Sequence, residues 1–237
     1  TDKPITIGWK DFPRHFDPRY CVDANSQYLE NLLHCSLIDF NPKGQAVSYL
    51  AKKWQWTNET TLEIELNPNA KFANNQPVTT KDIKATYMFF MDPKASRLSP
   101  RAHAFKQIKE INILSKTKLE FVLKHPDVTF INNLIVGILP EKSAQGNMLT
   151  KRSKVHGCGP YIHDSSTLTR INLKPNPHFS LGQKAKKQVT IKIVKDETTR
   201  FAKLRNGELD IVQNGINLTK IKNIKSYPGL VIEKTQG

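Results

Sequence analysis

The feature that most restricts the fold is a regular alternation of apolar residues in three well-separated segments. Residues 62–66, 119–123 and 189–193 each place an apolar side chain at every second position, as in LEIEL. Successive side chains of a strand point to opposite faces of a sheet, so this alternation predicts strands that bury one face. Further strands are predicted at residues 5–9, 209–212 and 230–233.

Helical patterns lie between these strands. Leucines between residues 29 and 37 recur at the spacing of one helix face. Residues 79–82 (TTKD) are typical of a capping-box start, and Asp196 can cap another helix. A further helix is predicted over residues 128–137. The irregular order of strands and helices predicts a mixed α/β fold with more than one sheet.

The size and charge of the chain limit its class. Its 237 residues suffice for one large or two small domains, and its longest apolar run, residues 134–139, is too short to cross a bilayer. The first residues contain no apolar signal core, so a secreted protein would be represented in its mature form.

The net charge of +15 invites a nucleic-acid interpretation, yet the basic residues are scattered and no DNA- or RNA-reading motif occurs. A solvated basic surface is favoured, and attraction to an anionic membrane surface stays open.

The three cysteines, Cys21, Cys35 and Cys158, form no CxxC pair. Their odd number leaves at least one thiol free or bridged to another molecule. A Cys21–Cys35 disulfide is one alternative in an oxidising compartment, and the redox compartment itself stays open.

The segment VHGCGPYIH raises the question of chemistry at a thiol. His156, Cys158 and His163 are acceptable zinc ligands, and a histidine can activate a cysteine nucleophile. A fourth ligand and an oxyanion hole are missing from the pattern, which favours a glycine-permitted turn followed by a strand. Common hydrolase, P-loop, zinc-protease and dinucleotide motifs are also missing, so we expect no enzyme activity, no metal and no cofactor.

Five blocks in order resemble one family, the bacterial extracellular solute-binding proteins of the oligopeptide, dipeptide and nickel class that feed ABC importers. The blocks are FDP at 16–18 with LIDF at 37–40, YLAKKW at 49–54, LEIELNPNAKF at 62–72 with QPVTTKDI at 76–83, GCGPY at 157–161 and DETTRFAKLRNGELDI at 196–211. Within them, Cys158 stands where the family has threonine or serine, and we interpret it as a small polar-site replacement. His34 and Cys35 replace a glutamate and a glycine of the family pattern.

The resemblance implies a mixed-sheet α/β fold like that of periplasmic binding proteins, a Venus flytrap with an extra subdomain. We expect the N-terminal lobe only, since the family's second lobe would follow GELDI. Residues 1–45 and 155–237 are expected to form the core of this lobe and residues 46–154 the extra subdomain.

The resemblance also implies a ligand-facing wall. Ala24, Asn25 and Tyr161 are its predicted members, with residues 99–105 as a weaker candidate. Structural roles are the alternatives: Asn25 as a helix cap and Tyr161 as core packing.

The implied function is capture of a peptide or another small solute on the periplasmic or extracellular side of a bacterial membrane. The implied partners are the membrane permease of an ABC importer and a second lobe or another copy of the chain, without specific nucleic acid. The alternative function is a regulatory or nucleic-acid-binding protein that uses the same lobe as a sensor. An enzyme that uses Cys158 is the third hypothesis.

Overall fold

A computed structural model of the chain describes residues 3–154, 156–213, 215–217 and 227–233. These residues form eleven strands in three sheets. The strands are β1 Ile5–Trp9, β2 Ile38–Phe40, β3 Ala46–Ser48, β4 Ala51–Asn58, β5 Thr61–Leu66, β6 Ile108–Ile113, β7 Lys118–Leu123, β8 Tyr161–Ser166, β9 Arg170–Pro175, β10 Val189–Ile193 and β11 Ile211–Val212.

Five α-helices accompany the strands in the described residues. They are α1 Ala24–Leu33, α2 Thr80–Met91, α3 Pro93–Ser96, α4 Glu141–Ala144 and α5 Glu197–Arg205. Two 3-10 helices cover Pro100–Phe105 and Phe130–Asn133. In the part of the chain that the structure describes, no helix has both the length and the apolar character needed to span a membrane.

The first sheet has the order β11-β1-β10-β9-β8. Strand β1 runs parallel to β10 and β11, while β9 and β8 are antiparallel to their neighbours. Ile5 is level with Val189, and Trp9 is level with Ile193. The carboxyl ends of β1, β10 and β11 therefore lie at the same edge of the sheet.

The second sheet, β4-β5-β7-β6, is antiparallel throughout. Its alternating residues behave as the sequence predicts: Leu62, Ile64 and Leu66 are fully buried, while Glu63 and Glu65 lie on the other face. The second sheet thus buries one face and exposes a charged one.

Two apolar clusters define two cores. The first core packs α1 against the first sheet through Trp9, Leu29, Leu33, Ile171, Leu173, Val189 and Ile191. The second core lies between the second sheet and α2, with Tyr87 and Phe90 from the helix and Phe105, Phe121 and Phe130 around them. The predicted subdomain boundaries at residues 46 and 154 stay a prediction, and residues 35–38 pack with the second core.

Buried polar contacts join the two cores. Glu30 of α1 pairs with Arg101 at 2.8 Å and accepts a hydrogen bond from the Gly137 amide at 2.7 Å. Asp17 pairs with Arg19, whose guanidinium also donates to the Ala144 carbonyl. The FDP block of the sequence therefore lies at the contact between the cores.

The disulfide pairing differs from the one considered from the sequence. Cys35 and Cys158 are joined, with 5.3 Å between their Cα atoms, and Cys21 is a free, buried cysteine. The Cys21–Cys35 alternative is therefore wrong, and so is the interpretation of Cys158 as a polar replacement. The fold instead joins two cysteines that are 123 positions apart in the sequence.

Most predicted elements are confirmed, and two are wrong. Residues 128–137 contain only the 3-10 helix Phe130–Asn133, because their apolar residues enter the second core from an irregular segment. Residues 230–233 form no strand. The predicted start of α2 is confirmed, since the Asp82 carboxylate accepts from the Thr79 amide at 2.8 Å.

Candidate functional site

The candidate site is the edge of the first sheet at which the parallel strands β1, β10 and β11 end. In open α/β sheets, ligands bind outside the carboxyl ends of parallel strands. Here the edge is formed by the segments that follow Trp9, Ile193 and Val212. We call this region the carboxyl edge.

Hydrogen bonds hold the three strand ends together. The Val194 amide donates to the Trp9 carbonyl at 2.9 Å, which extends the β1–β10 pairing by one residue. The Trp9 indole donates to the side-chain oxygen of Gln213 at 3.3 Å, just beyond β11. Trp9 is 1% exposed, so it is a packing residue that supports the edge from inside the first core.

Helix α1 begins at the carboxyl edge. Its N-cap is Asp23, which accepts from the Ser26 amide at 3.0 Å and the Ser26 hydroxyl at 2.6 Å. Asn25 is therefore not the cap, and its side-chain amide donates to the Asp11 carbonyl at 2.7 Å. Ala24 is exposed and Asn25 is half-buried. The structure thus places both predicted wall residues at the carboxyl edge.

Helix α5 also begins at this edge, capped by Asp196, which accepts from the Thr199 amide at 2.7 Å. Arg200, in the same turn, is 2% exposed and donates to the carbonyls of Val194, Lys195 and Gly215. Its Nε has no partner among the described residues. Arg200 therefore fixes the segments that follow β10 and β11.

Tyr161 lies at the other end of the first sheet. It is level with Pro175 at the start of β8, whereas Ser166 at the end of that strand is level with Ile171. Ile171 pairs with Ile191, so β8 starts beside the amino ends of β1 and β10. The structure does not bring Tyr161 together with Asn25.

A small, open cavity of about 20 Å³, with room for about one water molecule, adjoins Tyr161. Its lining is mostly apolar and aromatic, with a few polar side chains: Phe16, Leu33, His34, Leu149, Thr150, Ser153, Gly157, Tyr161, Ile162 and His163. Along α1, a rise of 1.5 Å per residue separates Ala24 from Leu33 by roughly 14 Å. The cavity is therefore distinct from the carboxyl edge.

Residues 99–105, the weaker candidate, contact the first core. Ser99 donates from its hydroxyl to the Arg19 carbonyl at 2.5 Å, and Arg101 pairs with Glu30. Ala102 and Phe105 are buried. The contacts that this segment makes in the structure are therefore packing contacts between the two cores.

The histidines near Cys158 do not form a metal site in the described part of the chain. No group of three or more His, Cys, Asp or Glu side chains with suitable geometry occurs there. His163 contacts the Ser166 hydroxyl at 2.6 Å and packs edge-on against Phe16. Cys158 is consumed by the disulfide, so it offers no nucleophilic thiol.

Burial shifts the pKa values of two groups between the cores. Enclosure of His34 lowers its pKa to about 4, an effect that the nearby Asp17 carboxylate and a backbone hydrogen bond to Ile138 oppose. Burial raises the pKa of Glu30, an effect that Arg101 opposes. Neither residue lies at the carboxyl edge.

The carboxyl edge offers groups that can bind a ligand. Its groups include backbone carbonyls and amides, two helix starts and the amide side chains of Asn25 and Gln213. Gln213 was not predicted from the sequence, and Arg200 had no predicted role, although Arg200 belongs to the DETTRFAKLRNGELDI block. That block was the signal that could have found Arg200.

A comparison with protein families decides the classification. Residues 45–237 match the family model described as bacterial extracellular solute-binding proteins, family 5 middle region. The chain belongs to this family. The resemblance inferred from the sequence blocks is thereby confirmed.

Relatives of this solute-binding protein include the nickel-binding periplasmic protein of Escherichia coli K12, 23% identical over 234 residues. The alignment covers 94% of this chain and 43% of that relative. The periplasmic murein peptide-binding protein MppA of the same organism is 25% identical over 251 residues, with 96% and 46% covered. The chain thus spans less than half the length of these relatives.

The fold is also that of solved solute-binding proteins. The oligopeptide-binding protein AppA from Bacillus subtilis, solved with a nonapeptide, superimposes with a TM-score of 0.85 at 21% identity. That superposition covers 95% of this chain and 47% of AppA. NikZ from Campylobacter jejuni gives a TM-score of 0.84 at 23% identity, covering 95% and 45%. The predicted fold class, an N-terminal portion with mixed sheets, is confirmed.

Proposed function

We propose that the chain supplies the first lobe of a solute receptor for an ABC importer and that its carboxyl edge is one wall of the ligand site. The observation that carries the proposal is the convergence of three strand ends and two helix starts at one edge, with Ala24 and Asn25 beside them. Such an edge is the usual ligand position in sheets of this kind.

Peptides are the ligand class that we favour. Extended peptides are recognised largely through main-chain hydrogen bonds, which backbone carbonyls and amides can supply without a charged pocket. The relative that binds murein peptides supports this choice, whereas the nickel-binding relative leaves metal chelates as the competing class. No step of bond making or breaking is required.

The location that we propose is the periplasmic or extracellular side of a bacterial membrane. The named Escherichia coli relatives are periplasmic. The Cys35–Cys158 disulfide supports the same location, because disulfides persist in oxidising compartments. The permease of the importer is then the partner that receives the solute.

The roles of Ala24, Asn25 and Tyr161 differ within this proposal. Ala24 and Asn25 stay wall residues, because they lie at the carboxyl edge. Tyr161 has a packing position beside the first core and lines the cavity instead. A single wall leaves one side of a ligand in water, so the chain by itself should bind peptides weakly.

Obstruction of the wall tests the proposal. Ala24→Trp places a large side chain on the exposed first position of α1 and should weaken binding of fluorescently labelled tripeptides at least tenfold, measured by polarisation. The matched control is Glu59→Trp, on the exposed turn between β4 and β5, which should bind as the unmodified chain does. Equal binding by the two variants would place the ligand elsewhere.

A further inference from the structure

Two passages of the chain between the cores lie beside the disulfide. Where the chain leaves the first core after α1, Leu33 packs in the first core and Cys35 in the second. Where the chain returns to the first core before β8, Cys158 packs in the second core and Tyr161 packs against the first. We call residues 33–37 and 156–161 the crossing segments. Both cysteines of the disulfide therefore lie where the chain enters or leaves the second core.

The crossing segments lie backbone against backbone. The Gly159 amide donates to the Leu33 carbonyl at 3.1 Å, and the Cys35 amide lies 3.2 Å from the Cys158 sulfur. A Cβ atom on Gly157 would be 1.9 Å from the Leu33 carbonyl oxygen, so only glycine fits this approach. The disulfide thus reinforces a contact that the backbone already makes.

Amides of the second core complete the contact. The Ile138 amide donates to the Cys35 carbonyl at 2.8 Å, and the Ala73 amide donates to the Gly157 carbonyl at 2.9 Å. Each crossing segment therefore bonds to the second core next to a disulfide cysteine. Both crossing segments are thus held to the second core beside the disulfide.

We propose that the Cys35–Cys158 disulfide is a covalent crosslink that holds the crossing segments together and so fixes the second core in one position relative to the first. The closed loop spans 123 residues and encloses the whole second core. The crosslink therefore acts on the connection between the cores, in addition to restricting the unfolded chain. This inference is independent of the proposed ligand.

Formation of the crosslink follows ordinary thiol–disulfide exchange. The thiols of Cys35 and Cys158 lose two electrons and two protons as their S–S bond forms, and a disulfide-bearing oxidoreductase accepts them as its own S–S bond becomes two thiols. The class of reaction that supplies the crosslink is thus oxidation by a dithiol–disulfide exchange protein.

The third cysteine is kept away from this exchange. Cys21 is 1% exposed, and its sulfur lies 3.1 Å from the Asp17 carbonyl oxygen. Burial raises the pKa of the Cys21 thiol far above its usual range, and the thiolate is the form that attacks disulfides. Native Cys21 is therefore inert toward the Cys35–Cys158 bond.

Peptide mapping under non-reducing conditions is the first test. The oxidised chain should yield a peptide pair linked through Cys35 and Cys158, with Cys21 alkylated only after unfolding. A Cys21–Cys35 or Cys21–Cys158 pair in the folded chain would overturn the proposal. This test requires no variant and so does not depend on whether any variant folds.

Hydrogen exchange distinguishes a local crosslink from general stabilisation. In the double variant Cys35→Ala/Cys158→Thr, the amides of Ile138 and Gly159 should lose at least tenfold more protection than the amides of Ile64 and Ile191 in the sheet centres. Cys21→Ala is the matched control. In this variant the ratios of the protection factors of the four amides should stay unchanged. Unchanged protection at the crossing segments of the double variant, or an equal loss at all four amides, would overturn the proposal.

Discussion

Asp17 and Arg19 form a fully enclosed ion pair, with 2.7 Å between the carboxylate and the guanidinium and side chains that are 0% and 1% exposed. Arg19 also donates to the carbonyls of Ala144 and Asn147, and Asp17 accepts from the Leu149 amide at 2.9 Å. The pair therefore fastens the segment around α4 to the first core. The aspartate of the FDP block has this structural task rather than a role at the carboxyl edge.

Removal of one partner of this pair should be costly. Arg19→Met leaves the Asp17 charge buried without its cation, and the free energy of unfolding should fall by about 3 kcal/mol. Lys174→Ala is the matched control, because the Lys174–Asp164 pair is half-exposed at 3.0 Å and should contribute less than about 1 kcal/mol. Urea unfolding of both variants checks the prediction, and similar losses would contradict it.

The glycines of the GCGPY block should not tolerate a side chain. A Cβ atom on Gly159 would lie 2.6 Å from the His34 amide nitrogen and from the Leu32 carbonyl oxygen, so Gly159→Ala should cost about 2 to 3 kcal/mol. At Gly182 the nearest atom would be a Phe179 ring carbon at 3.6 Å, an ordinary contact. Gly182→Ala should therefore change the unfolding midpoint little, and an equally small change for Gly159→Ala would show that the crossing segments can separate freely.

His34 should make the fold sensitive to acid. Its pKa is lowered to about 4 from an ordinary value of 6.5, so the unfolded chain binds a proton more readily than the folded one across that interval. Stability from this group is complete above pH 6.5 and decreases as the pH falls, by about 2 kcal/mol between pH 7 and pH 5. His163, whose pKa burial also lowers, acts in the same direction, and Glu30 acts in the opposite one.

The variant His34→Leu isolates this contribution. Its unfolding free energy should depend less on pH between 7 and 5 than that of the unmodified chain, whatever its absolute stability. Denaturant titrations at the two pH values measure the difference. An unchanged pH dependence in His34→Leu would mean that His34 is protonated alike in both states.

The sequence predicts the regular parts of this fold because their causes are local. The apolar alternation at residues 62–66 indicates a strand with one buried face. The Asp82 side chain accepts a hydrogen bond from the Thr79 amide, three residues before it, and so marks the start of α2. The Cys35–Cys158 bond depends on a long-range approach that no local pattern encodes. The helix predicted over residues 128–137 was wrong for the same reason, since tertiary packing decides the conformation of this segment.

The candidate site was predictable only in part. The order of the sequence blocks placed Ala24 and Asn25 near the first helix, and the structure puts that helix start at the carboxyl edge. Tyr161 was predicted to belong to the same wall, but β8 runs in the same direction as β1 and β10, so its first residue lies at the opposite end of the sheet from the carboxyl edge. Strand direction is not visible in an alternating pattern.

An amide chemical-shift titration of this chain with a pool of short peptides tests the central claim most directly, because it locates the ligand on the molecule. The account predicts weak binding, with the largest shift changes at Asn25, Thr199 and Gln213 around the carboxyl edge. The amides of Tyr161 and His163 beside the cavity should not shift. Shift changes confined to the cavity, or tight one-to-one binding that leaves the carboxyl edge unperturbed, would contradict the claim that this edge is a wall of the ligand site.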